Sequence, residues 1–155
     1  MERGDWVSVT KKEIPLLRDQ PGFDDLVRPI HQFCAFSASE DISSPVQINR
    51  WRHPRDATFV LVNEAEIPDA RMHDWGYEGK APAFYGSRDQ TILFENVPYR
   101  GIPVYRWRRN EDRNWVTLRE GEWDDVLLQR WGYKKKSFQC YALPPDVMHY
   151  FVPVP

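Results

Sequence analysis

A self-overlap at one fixed offset constrains this chain more than any composition figure. Shifted by 56 positions, the stretch from Asn49 to Tyr85 falls without a gap on Tyr105 to Tyr141. Arg50, Trp51, Arg52, Asp56, Val60, Glu64, Glu66, Asp69, Trp75, Gly76, Tyr77 and Tyr85 each meet an identical residue. Roughly two such matches would be expected by chance at average residue frequencies. The chain is therefore built from repeats, and a repeat of this size needs neighbours to bury its apolar face.

A third copy lies at the N-terminus. Shifted by 53 positions, Trp6–Pro15 falls on Phe59–Pro68, with Val7, Val9, Glu13, Ile14 and Pro15 meeting their counterparts. Gly22-Phe23 then matches Gly76-Tyr77, and residues 33–36 match residues 82–85. This copy lacks an opening strand, which the C-terminal tail around Pro153-Val154 is placed to supply. The expectation is one domain over residues 1–155 with three units. They span about 4–43 together with the strand 146–155, then 44–99, then 100–145.

Each unit reads alike. A strand (Ile48–Arg52, Val104–Arg108) is followed by a polar turn and a β-branched strand (Phe59–Val62, Trp115–Leu118). A short helix follows at 68–75 and 124–131, its apolar positions at helical spacing. Trp-Gly-Tyr ends it, with Gly76 and Gly132 as left-handed caps. Ala83–Tyr85 or Phe138–Tyr141 completes the unit as a strand. The fold class that follows is mainly β with short helices, a pseudo-threefold, β-trefoil-like repeat protein. A small propeller-like or α+β ring is the alternative.

Pro-Val-Tyr-Arg (103–106), the aromatic-Val-Thr strand with trailing Glu120, Gly-Tyr (132–133) and Phe-Gln-Cys-Tyr-Ala (138–142) carry a family resemblance. So do Gly-Tyr-Glu-Gly (76–79) and Ala-Phe-Tyr (83–85). Together they resemble a three-unit repeat domain of uncharacterised function, found mainly in secreted bacterial and fungal proteins, often beside enzymes acting on polymers. The resemblance implies the three-unit layout and a binding-module role. The family's His-Phe-Tyr-Thr-Thr strand is replaced here by Thr-Phe-Val-Leu-Val and Asn-Trp-Val-Thr-Leu.

Seven Trp, seven Tyr and eight Phe make the chain 14% aromatic, which suits a β-rich core or a stacking surface. A formal net charge of −2 argues against a general nucleic-acid or membrane-surface binder. No apolar leader or membrane-length run is present, so a cytoplasmic location without membrane insertion is expected, or a secreted one if a leader has been removed. Cys34 and Cys140 read as buried free thiols rather than a disulfide framework.

Catalytic signatures are missing. His31, His53, His73 and His149 occur singly, and His31 with Cys34 finds no second pair to hold zinc. No phosphate loop or nucleophile elbow is present, so no catalytic residue, metal or cofactor is assigned. Two binding classes remain. The first is lectin-like carbohydrate recognition at the repeated aromatic-plus-Asp turns. Its candidate ligand residues are Trp51, His53, Arg55 and Asp56 in one copy, and Trp107, Arg109, Asn110 and Asp112 in the other. Recurrence also makes Trp51 and Trp107 candidates for the core. The second class is a protein-interaction module, such as a protease inhibitor, immunity factor or effector, binding through the unrepeated loops Asp19–Pro29 and Ser37–Pro45. A lesser alternative is single-stranded nucleic acid on the basic, aromatic stretch 106–136. A homodimer stays open. Arg50 and Arg106 are expected to pair with Glu64, Glu66, Glu120 or Glu122.

Overall fold

A computed structural model describes residues 35–36, 38–55, 58–110 and 114–144. Residues 4–34 and 37 of the N-terminal copy, with the loop Asp19–Pro29 among them, and the C-terminal strand 146–155 lie outside the described residues. The threefold, trefoil-like closure rests on those segments.

The two internal copies fold alike. The first holds β1 (Pro45–His53), β2 (Thr58–Asn63), α1 (Asp69–Asp74) and β3 (Glu78–Ser87). The second holds β6 (Ile102–Arg109), β7 (Asn114–Arg119), α2 (Asp125–Arg130) and β8 (Tyr133–Ala142). Each element overlaps the one the sequence places there: each helix is one residue shorter at both ends, and the last strands are longer, starting at Glu78 and Tyr133 rather than at Ala83 and Phe138. Gly76 and Gly132 leave the helices at φ +86° and +91°, a left-handed conformation that glycine adopts without steric cost. Between the units stands a hairpin the repeat pattern did not reveal, β4 (Thr91–Phe94) with β5 (Val97–Arg100).

The eight strands make this a mainly β protein. Six of them form one curled antiparallel sheet, a half-barrel, in the order β2-β1-β3-β8-β6-β7. That order is a palindrome in repeat terms, so the units abut through equivalent strands. Ser87 lies opposite Tyr141 in β3–β8, which sets Gly86 against Ala142, its own counterpart. The two described units are thus related by a local twofold. Gly86 allows this seam to be tight: a Cβ there would lie 2.5 Å from the Cys140 sulfur.

Alternation along each strand sorts the core into two layers. Val46, Ile48, Leu61 and Phe84 of the first unit share one buried cluster with Val104, Cys140 and Ala142 of the second. The opposite face carries each unit's own core beneath its helix. Trp51, Val60, Val62, Met72 and Tyr77 form one, and Trp107, Val116, Leu118, Leu128 and Tyr133 the other. Each Val, Leu or Met buried in this way contributes about 1.5–3 kcal/mol relative to exposure. Phe36, Ile42, Ile92 and Leu143 form a further cluster under the hairpin, where Phe36 bridges Tyr85. Among the described residues no helix is long and apolar enough to cross a membrane.

Candidate functional site

Of the residues expected to bind ligand, Trp51 and His53, and likewise Trp107 and Arg109, occupy equivalent buried positions near the ends of β1 and β6. Trp51 is 2% exposed and Trp107 3% exposed, so neither offers a face on which a sugar could stack. His53 and Arg109, next on the same strand face, are buried as well. The His53 ring packs edge-on to Tyr77 with centroids 5.1 Å apart. Arg109 holds its guanidinium 5.2 Å from the Tyr133 centroid. Arg55 and Asn110 are exposed on the turns that follow, while Asp56 and Asp112 lie outside the described residues. Trp51 and Trp107 serve the packing of their own units, in the clusters beneath the helices.

A further repeated pair belongs to this scaffold. Lys80 and Lys136 are repeat equivalents, each paired to an equivalent aspartate: Asp69 at 2.9 Å and Asp125 at 3.0 Å. Each ammonium also lies over its unit's tryptophan, at 6.0 Å from Trp51 and 5.4 Å from Trp107. The signal was present in the sequence as one more identity between the copies.

The expected arginine–glutamate pairing forms for Arg106, but between the units. Its two terminal nitrogens donate to the two carboxylate oxygens of Glu66 at 3.0 and 2.7 Å. Gln139 donates to the same carboxylate at 2.8 Å, and its Oε1 accepts from the Asn63 backbone N–H. A β-bulge re-aims Gln139 into this network, since the β6–β8 register shifts between Val104 and Tyr105. The equivalent bulge holds Ala83 in the first unit, which has no polar group to offer. Trp115 of β7 donates from its ring N–H to the Tyr77 hydroxyl at 2.7 Å, joining the units a second time.

Within the basic, aromatic stretch 106–136, Arg106, Trp107, Arg109 and Tyr133 are buried, Arg108 and Trp115 are half-buried, Lys134, Lys135 and Lys136 are exposed, and residues 111–113 lie outside the described residues. Trp75 is exposed with Arg71 stacked 5.9 Å from its ring, whereas Trp131 is half-buried edge-on to Trp123.

What the copies do not share is a run of aromatic side chains on β6 and β8. The bulge at Gln139 brings Phe138 opposite Tyr105. Phe138 then touches Tyr105 and Tyr141 edge-on, with centroids 5.9 and 5.0 Å apart. Phe138 is 43% exposed. Lys136 borders the group, its ammonium 4.2 Å from the Tyr105 centroid. The first unit has Asn49, Pro82 and Tyr85 at these positions, and Asn49 is buried there, accepting from Gln47 at 2.7 Å. Sequence reasoning missed this group because its members lie on two strands.

Cys140 sits beneath the seam, and burial pushes its thiol up to about 12. A thiol held protonated in this way is a poor nucleophile. No set of three or more His, Cys, Asp or Glu residues that could hold a metal ion occurs among the described residues. Comparison with protein-family models, with curated proteins and with solved structures found no match.

Proposed function

We propose that this chain is a non-enzymatic binding module whose ligand is another protein, docked on the Tyr105–Phe138–Tyr141 face of the second unit. The observation that carries this reading is Phe138. It is a large ring, 43% exposed and fixed between two tyrosines, at a position where the sister unit has proline. Rigid aromatic groups in shallow surfaces are the usual anchors of protein interfaces. The neighbouring rings meet edge-on, at interplanar angles of 71° and 61°, so they present no shared flat platform to a sugar.

Quantitative affinity capture tests the reading, with wild type, Phe138→Ser and Pro82→Ser as baits. The expected result is a stoichiometric protein retained by wild type and Pro82→Ser, lost by Phe138→Ser, and not displaced by free saccharides. A central anchor of this kind is worth roughly 2 kcal/mol, about a thirtyfold change in Kd. Capture that ignores Phe138, or glycan-array binding that depends on it, would overturn the protein reading.

A further inference from the structure

The opposite face of β6 carries a feature of another kind. In the β6–β8 ladder Arg108 lies directly opposite Lys135. Like charges placed directly across two strands are destabilising. The first unit avoids this, since the equivalent Arg52 lies opposite Glu78. The second unit therefore breaks a local rule that its sister keeps, and such departures mark places where the chain serves something other than its own folding.

The surroundings of Arg108 are built. Its guanidinium lies 5.0 Å from the Trp115 ring centroid, and the hydrogen bond from Trp115 to Tyr77 fixes that ring. Its Nε is buried with no acceptor, and the Arg108 side chain makes no ion pair or hydrogen bond among the described residues. The adjacent carboxylate, Glu66, is already engaged by both terminal nitrogens of Arg106 and by Gln139. Lys134 and Lys135 are exposed and likewise have no carboxylate partner among the described residues. An arginine stacked on an aromatic ring keeps its planar fork of donors available, and a fork flanked by ammonium groups matches an oxyanion with two or more oxygens.

We propose that Arg108, Lys134 and Lys135, backed by Trp115, form an oxyanion-binding site for a carboxylate or phosphate group. The site lies on the face of β6 away from Phe138 and does not depend on the protein-binding reading. It is open rather than enclosed, so the oxyanion is held by donors on one side only. Affinity for a free anion is correspondingly weak, in the millimolar range.

The test is an NMR titration of the arginine Nε–H signals with inorganic phosphate, with acetate, and with chloride at matched ionic strength. The expected result is a saturable shift of the Arg108 signal with phosphate, acetate or both, and only a linear drift with chloride. Which of the two anions binds more tightly identifies the source of the oxyanion. Lys135→Gln and the double variant Lys134→Gln/Lys135→Gln should weaken that shift about tenfold, while Arg52→Gln leaves it unchanged. Equal responses to chloride and to the oxyanions, or a response insensitive to both lysines, would overturn the proposal. Variant folding is checked by the unchanged signals of Arg106 and Arg109.

Discussion

The Arg106–Glu66 pair provides the sharpest test of how the two units are held together. Glu66→Gln keeps the shape of the side chain and removes its charge. Arg106 is only 3% exposed, so its guanidinium would be left without a counter-ion in a site that water barely reaches. Breaking a fully buried pair by removing one partner costs about 3–5 kcal/mol. The Glu66 side chain is 28% exposed, however, which screens part of the interaction and allows some water in. The expected loss is therefore about 2–3 kcal/mol, or roughly 5–10 °C in Tm for a domain of this length.

Two comparisons give that figure its meaning. Asp69→Asn removes a salt bridge whose side chains are 38% and 54% exposed, and should cost at most about 0.5 kcal/mol. The double variant Glu66→Met/Arg106→Met should recover most of the loss, because two apolar groups of similar size leave no buried charge. Urea unfolding followed by tryptophan fluorescence reads all of these on one scale. If Glu66→Gln costs no more than Asp69→Asn, or if the double variant is as unstable as the single one, the inter-unit network is not what couples the repeats.

Two further outcomes follow from the same physics. Gly76→Ala and Gly132→Ala both force a left-handed residue to carry a Cβ, at a cost of about 1 kcal/mol each in thermal unfolding. Gly76→Ala should be the worse, since its Cβ would lie 3.0 Å from His53 Nε2, against 3.4 Å from the flexible Arg109 chain for Gly132; equal losses would refute the packing argument. The Cys140 thiol is raised from 9.0 to about 12 in the fold, so above pH 9 the unfolded chain sheds a proton that the native state keeps. Stability should be unaffected by this group below pH 9 and fall by up to about 1.4 kcal/mol per pH unit toward pH 12. The part of that slope missing in Cys140→Ala measures it, and identical slopes would contradict the burial of the thiol.

The strands, the two helices and their glycine ends were legible because each is written in local chemistry. Period-two alternation, β-branched runs and Trp-Gly-Tyr need no tertiary information. The β4–β5 hairpin was missed because its turn, Glu95-Asn96, carries neither glycine nor proline. Both residues adopt positive φ, 49° and 62°, and asparagine, which tolerates that region, was the one available cue. Alternation told which side chains share a face with Trp51 but not which face the helix covers, so core and stacking platform could not be separated. The pairing of Arg106 with Glu66 rather than with its own unit was unreadable for a different reason. It depends on how β2 and β7 approach when the sheet curls, and no local pattern encodes that.

Register changes how a repeat can be used. Identity between copies pointed at Trp51 and Trp107, which the fold consumes in packing; the equivalent Lys80 and Lys136 it consumes in equivalent ion pairs. Once the ladders are known, the informative comparison is between equivalent positions in contact. Arg52 meets Glu78 where Arg108 meets Lys135. Asn49 is buried beside Gln47 where Tyr105 supports an exposed Phe138. Both first-unit arrangements satisfy themselves: one sets opposite charges across the ladder, the other closes a hydrogen bond. Both second-unit arrangements are left incomplete, one in charge and one in apolar cover. The same backbone supports both versions, so folding alone does not require the incomplete one. The second unit is accordingly where ligands should be sought, an anion on one face of β6 and a protein surface on the other.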